Sequence, residues 1–254
     1  MRGGIYLLPS MLTLGNLLAG FYAIVSVFNA DYVPAAVAIL IAAVLDALDG
    51  AVARMTGTAT DFGLQLDSLA DLISFGVAPG MLAYSWALFP FGRIGWLACF
   101  LFVSCGALRL ARFNVQAKTI DKRYFVGLPI PAAAGFIASF VLFMKDSSSL
   151  TLFGHELVSS SLTSILVAVS IYLLSFLMVS RVKYLGLKGI DFKKQRPFTL
   201  LVMFVLAILL IASLPALLIF AFFFIYALSG IMRYLPSPRK GLLGEEQHKL
   251  SEGQ

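Results

Sequence analysis

Four aspartates in one short stretch carry the chemistry open to this sequence. In "DALDGAVARMTGTATDFGLQLDSLAD", residues 46–71, Asp46 and Asp49 stand three apart, and Asp67 and Asp71 four apart. On helices, each spacing puts the pair on one face. Between the pairs lies a polar turn, "MTGTATDFG", rich in Gly and Thr. Two helices joined by so short a turn pack antiparallel, so the two acidic faces can meet. Four carboxylates brought together at low dielectric repel one another, and a cation must neutralise them. Ligation by aspartate oxygens favours a hard divalent ion, Mg2+ or Mn2+, over Zn2+, and the segment contains no His or Cys. Two ions sharing ligands, about 4 Å apart, are the usual arrangement for displacement at phosphorus.

The neighbours fit that chemistry. Gly50, Ala51 and Ala53 leave bare helix surface beside the first acidic pair, and Gly63 and Ala70 do the same beside the second. Arg54, one turn after Gly50, can reach a phosphate, so a diphosphate bridging metal and arginine is the simplest ligand. Asp61, in the turn, reads as a solvated residue or a helix cap. A rival reading makes the same carboxylates the ion pathway of a cation or proton transporter. Against it, they cluster at one end of their helices, and the chain has no visible inverted repeat.

The elements that position these residues are membrane spans. Hydrophobic residues make up 60% of the chain and charged residues only 13%, about half the share of a soluble domain. The expected fold is an all-α, polytopic bundle of about eight transmembrane helices, near 12–29, 34–53, 65–88, 94–112, 128–144, 160–180, 198–213 and 216–233. With the N-terminus in the cytoplasm, only Arg93 and Lys145 of the nineteen Lys and Arg fall outside. Both termini and the aspartate segment are then cytoplasmic. The basic clusters at 109–123 and 181–196 lie where they meet anionic membrane lipids, which makes the net charge of +6 a poor argument for nucleic acid. Residues 1–234 read as one membrane domain and 235–254 as a polar cytoplasmic tail. Cys99 and Cys105 are six apart on one helix, in well-separated directions, and cannot bridge each other.

Asp46-x-x-Asp49-Gly50-x-x-Ala53-Arg54, eight residues, then Gly63-x-x-x-Asp67-x-x-x-Asp71 resembles the signature of the CDP-alcohol phosphatidyltransferases, with every fixed position present. Members of that family transfer a phosphatidyl group from a CDP-linked lipid to an alcohol and release CMP. The resemblance implies a two-metal site held by Asp46, Asp49, Asp67 and Asp71, with Asp71 as general base. It places Gly50, Arg54 and Thr60 near the diphosphate and cytidine. The stretch "LPSMLTLGNLLAG" is similar to the family's entrance to the first span, with Pro9, Ser10, Met11 and Leu12 lining the nucleotide. Thr13 and Asn16 stand close behind, where ordinary interhelical hydrogen bonding is an equal reading. A homodimer is implied by the resemblance alone.

Two further stretches, "ALRLARFNV" (107–115) and "FVGLPIPAAA" (125–134), resemble the membrane-type phosphatidylserine synthases more than the glycerophosphate or inositol members. The substrates so implied are CDP-diacylglycerol and L-serine, in a prokaryotic cytoplasmic membrane, with the site at the cytoplasmic face. Arg109 and Arg112, three apart, can hold a carboxylate in a forked pair, and Asn114 can read an amino group. Both arginines can equally snorkel to lipid phosphates, or bind the phosphate of glycerol 3-phosphate. Pro129 and Pro131 fit the first turn of a span, where an N–H has no helical partner. The two histidines, His155 in an expected external loop and His248 in the tail, cannot reach the site, which favours direct displacement over a covalent intermediate.

Overall fold

A computed structural model of the chain describes residues 7–57, 60–116, 124–145, 160–185 and 215–234. The span expected near 198–213, the tail from 235, and both histidines lie outside the described residues. Among the described residues seven helical runs follow one another: α1 (Leu7–Phe28), α2 (Tyr32–Thr56), α3 (Asp61–Phe91), α4 (Arg93–Gln116), α5 (Ile130–Lys145), α6 (Ser160–Val179) and α7 (Pro215–Tyr234). Stretches of α1, α2, α3, α4 and α6 are long and apolar enough to cross a membrane, whereas α5 and α7 are shorter apolar helices. The described residues therefore form a predominantly helical bundle with five candidate spans. Phe21, Phe28, Val44, Phe100 and Phe176 lie on its outside, an arrangement that suits lipid rather than water.

Small side chains set the inner packing. Ala35, Ala36, Ala38 and Ala42 are buried on α2, letting α1 and α5 approach its backbone closely. The polar turn after α2 works as a pair of caps. Gly57 takes the left-handed conformation (φ 65°) that a side chain resists, and its N–H bonds to the Ala53 carbonyl. Thr60 then starts α3, its hydroxyl accepting from the Gly63 N–H at 3.0 Å. Asp61, the first residue of α3, is exposed and leaves the capping to Thr60. The two acidic helices are thus folded back on each other by a short turn with Gly57 closing one helix and Thr60 opening the next.

Directly after Asp71, α3 widens into a π-helical turn, Leu72–Val77. Such turns re-aim the side chains on either side of them and recur at functional sites. Here the widened turn presses on α1. A Cβ added at Gly20 would collide with Ser74, and the Ser74 hydroxyl donates to the Asn16 carbonyl at 3.0 Å. The sequence reading had no signal for this turn, since Leu-Ile-Ser-Phe-Gly-Val suits any buried helix.

The C-terminal side is built on aromatic contacts. Phe220 of α7 packs on Phe136 and Phe140 of α5, with ring centroids 5.4 and 5.3 Å apart. Two three-residue strands, β1 (Tyr124–Val126) and β2 (Lys183–Leu185), pair antiparallel and tie the α4–α5 connection to the end of α6. This strand pair departs from the purely helical expectation. Tyr184 of β2 is buried under α7, where its hydroxyl donates to the Ala227 carbonyl at 3.2 Å and its ring lies 5.7 Å from that of Tyr226. Cys99 and Cys105 are both buried and free.

Candidate active site

The antiparallel α2–α3 pair brings carboxylate oxygens of Asp46, Asp49 and Asp67 within 4.8 Å of one another. Asp71, one turn further along α3, faces the same three groups and is itself buried. Helix α1 braces both acidic pairs. The Thr13 hydroxyl stands 2.9 Å from Asp49 Oδ2 and 3.0 Å from the Pro9 carbonyl, and the carboxylate is the stronger acceptor. Asn16 donates through Nδ2 to Asp71 Oδ1 at 3.2 Å. The two readings of Thr13 and Asn16 therefore merge: each makes an interhelical hydrogen bond, and each bond ends on a site carboxylate.

The remaining motif residues surround the acidic triad. A Cβ on Gly50 would lie 3.2 Å from Arg54 Nη1, so the guanidinium folds back over the bare glycine surface, within electrostatic reach of Asp49 and Asp46. Gly63 is as closely spaced, with Thr60 Oγ1 only 3.1 Å from where its Cβ would be. Ala53 accepts the cap bond from Gly57. Of the entrance residues, Pro9, Ser10 and Leu12 are half-buried, and Met11 is exposed.

On α4, Arg109 is the guanidinium that faces the carboxylates, within electrostatic reach of Asp71 and Asp46 and of the Tyr226 phenol on α7. Arg112, three residues on, is half-buried. Asn114 donates to the Ser68 hydroxyl of α3 at 2.9 Å. Ser68 and Tyr226 are site neighbours that the sequence reading did not single out. Ser68 sits in the motif between Asp67 and Asp71, where a serine looks like filler. Tyr226 belongs to a helix that carries no motif.

Among the described residues, four enclosed side-chain polar atoms have no hydrogen-bond partner: Asn16 Oδ1, Asp67 Oδ1, Arg109 Nε and Asn114 Oδ1. All four belong to this one site. Enclosed polar atoms without partners are costly, about 1–3 kcal/mol each, so their gathering here marks a place built to be filled. The donor set fits a hard divalent cation: three aspartates with oxygens within 4.8 Å of one another, one of them unpartnered, and no nitrogen or sulfur ligand among them.

A family model described as CDP-alcohol phosphatidyltransferase matches residues 6–173, about two thirds of the chain. The chain belongs to that family. Its matched region runs from α1 into α6, and so contains every carboxylate and basic residue of the site; the Tyr226 neighbour lies beyond it. The phosphatidyltransferase is similar to several named relatives. It is 38% identical over 231 residues to the CDP-diacylglycerol–serine O-phosphatidyltransferase of Helicobacter pylori strain 26695, covering 91% of this chain and 92% of the relative. The Bacillus subtilis protein of that name is 36% identical over 70% of this chain and 89% of its own length. The archaetidylserine synthase of Methanothermobacter thermautotrophicus is 41% identical over 70% of this chain and 72% of its own length.

Proposed function

We propose that this enzyme transfers the phosphatidyl group of CDP-diacylglycerol to the hydroxyl of L-serine, giving phosphatidylserine and CMP by direct displacement. The observation that carries the reading is the convergence of the aspartate triad with Arg109 and Asn114, each holding an unpartnered polar atom. The names of the relatives point to the same acceptor.

In this mechanism Asp46, Asp49 and Asp67, with Asp71 beside them, would hold Mg2+ or Mn2+, two ions on the family's pattern. When bound, the metal neutralises the diphosphate and stabilises CMP as the leaving group. Gly50, Ala53 and Gly63 leave room for the diphosphate, Arg54 and Thr60 face it, and Pro9, Ser10, Met11 and Leu12 line the nucleotide. Asn16 fixes one oxygen of Asp71, leaving the other to take the serine hydroxyl proton. The serine oxygen then bonds to the phosphorus carrying diacylglycerol as the bond to the CMP oxygen breaks. Arg109 grips the serine carboxylate, Asn114 accepts from its ammonium, and Arg112 adds positive charge at the mouth. The site opens to the cytoplasmic leaflet, as the basic residues' asymmetry supports, with both termini on that side. A homodimer follows the family's pattern.

The test is turnover of purified protein with CDP-diacylglycerol, either metal, and serine, glycerol 3-phosphate or inositol as acceptor, scoring CMP and lipid product. Metal-dependent CMP release with serine alone is expected. Turnover with another alcohol instead would keep the chemistry and discard serine. No CMP with any acceptor, from folded protein, would discard the transferase reading.

A further inference from the structure

We infer that Ser68 fixes the orientation of the Asn114 amide and thereby sets the preference for an acceptor that carries an ammonium beside its hydroxyl. The inference rests on the serine reading above and assigns a residue to it that the family motif leaves as a spacer.

The argument is a count of protons and lone pairs. A serine hydroxyl has one proton to donate. Ser68 spends it within its own helix, donating to the Leu64 carbonyl at 3.0 Å. What Ser68 then presents to α4 is a lone pair, and the Asn114 Nδ2 meets it at 2.9 Å. If the amide were flipped, its oxygen would face the Ser68 oxygen. The hydroxyl would have to leave Leu64 to donate across, so the pair would keep one bond in place of two. The observed orientation is therefore the favoured one, and it turns Asn114 Oδ1 away from Ser68, enclosed and without a partner.

An enclosed amide oxygen accepts and cannot donate, so it selects a donor ligand. Arg109 Nε, equally enclosed and unpartnered, is a donor that selects an acceptor. The two residues are five apart on α4, about 7.5 Å of helix rise. An alcohol bearing both a carboxylate and an ammonium can satisfy both atoms at once with charge-assisted bonds, whereas glycerol 3-phosphate, with no ammonium, offers Asn114 Oδ1 only a neutral hydroxyl. Ser68 is then a positioning residue: it touches no substrate and acts through Asn114.

The experiment is steady-state kinetics of the full-length protein, with L-serine as acceptor and 3-hydroxypropionate, which is serine without its ammonium, as competitor. Variants are Ser68→Ala, Asn114→Ala, the double variant and Ser68→Thr. Ser68→Ala is expected to raise the serine KM about tenfold, the worth of one hydrogen bond to a charged group. The KM for CDP-diacylglycerol and the inhibition constant of 3-hydroxypropionate should stay within about twofold, since neither uses Asn114 Oδ1. The double variant should be no worse than Asn114→Ala, because Ser68 works through that amide. Ser68→Thr, which keeps the hydroxyl, should restore the serine KM. Should the alanine variant fail to fold, Ser68→Cys, with a weak acceptor of similar size, is expected to give the same one-sided rise. Equal losses for serine and its competitor, or additive losses in the double variant, would overturn the role of Ser68. If Asn114→Ala leaves the serine KM unchanged, the serine reading of that residue fails first, and the inference with it.

Discussion

Each carboxylate of the site has its own task, and single substitutions should separate them. If Asp71 is the base, as proposed, Asp71→Asn removes it but keeps the shape and the Asn16 contact, so kcat should fall about 10²- to 10⁴-fold while CDP-diacylglycerol still binds. Equal loss of lipid binding, measured by equilibrium binding to the variant, would make Asp71 mainly a metal ligand. Thr13→Val is the sharper probe of the layer behind the metal. It deletes the 2.9 Å bond to Asp49 Oδ2 while leaving every carboxylate in place. The Mn2+ concentration giving half-maximal activity should rise about 10- to 100-fold, with kcat at saturating metal little changed. At this scale the sequence was highly legible. Asp46, Asp49 and Asp67 are adjacent because helical spacing and a short turn leave them little choice. Ser68 escaped notice because its role depends on Asn114, a partner 46 positions away that no periodicity connects to it.

At the scale of elements, the contact between α1 and the π turn of α3 does most to aim the chemistry. Asn16 gives its side chain to Asp71 and its carbonyl to Ser74, one turn later on the same helix. The close approach that allows both bonds depends on the missing side chain at Gly20. Gly20→Val should drive the helices apart, at a cost of about 1–3 kcal/mol from overpacking. A lower melting temperature in detergent, together with a drop in kcat larger than the melting shift explains, is the expected result. Unchanged activity would mean that α1 does not aim Asp71. A parallel test lies at Gly230, where a Cβ would run into the Tyr184 ring. Gly230→Val should loosen α7 and lower stability by a similar amount. Neither contact could be read from the sequence. Glycine in a membrane helix signals some close approach, but not which helix approaches. The β1–β2 pair was equally hidden, since three-residue strands in polar connections leave no alternating pattern.

For the molecule as a whole, hydropathy located every described helix to within a few residues, because a span must be apolar over its full length wherever it packs. The order of packing came only with the structure. The sidedness of the bundle is open to direct test. In a background with Cys99 and Cys105 changed to alanine, Met55→Cys and Phe91→Cys put exposed thiols at opposite ends of the α2–α3 pair. An impermeant thiol reagent should label Phe91→Cys in intact cells and Met55→Cys only in inverted vesicles. The reverse pattern would place the aspartates at the outer face.

The four unpartnered atoms at the site also bear on the life of the protein between synthesis and first turnover. On the proposed metal site, a chain without its ion carries gathered carboxyl groups and unpartnered polar atoms in its interior, and metal that binds only the folded form would stabilise it by about 2.7 kcal/mol at a hundred times its dissociation constant. On that reading divalent ions would act as a maturation signal as well as a reagent. In cells starved of them, the newly made chain should be cleared faster by membrane proteases, and a pulse-chase would record falling abundance before any shortage of lipid product.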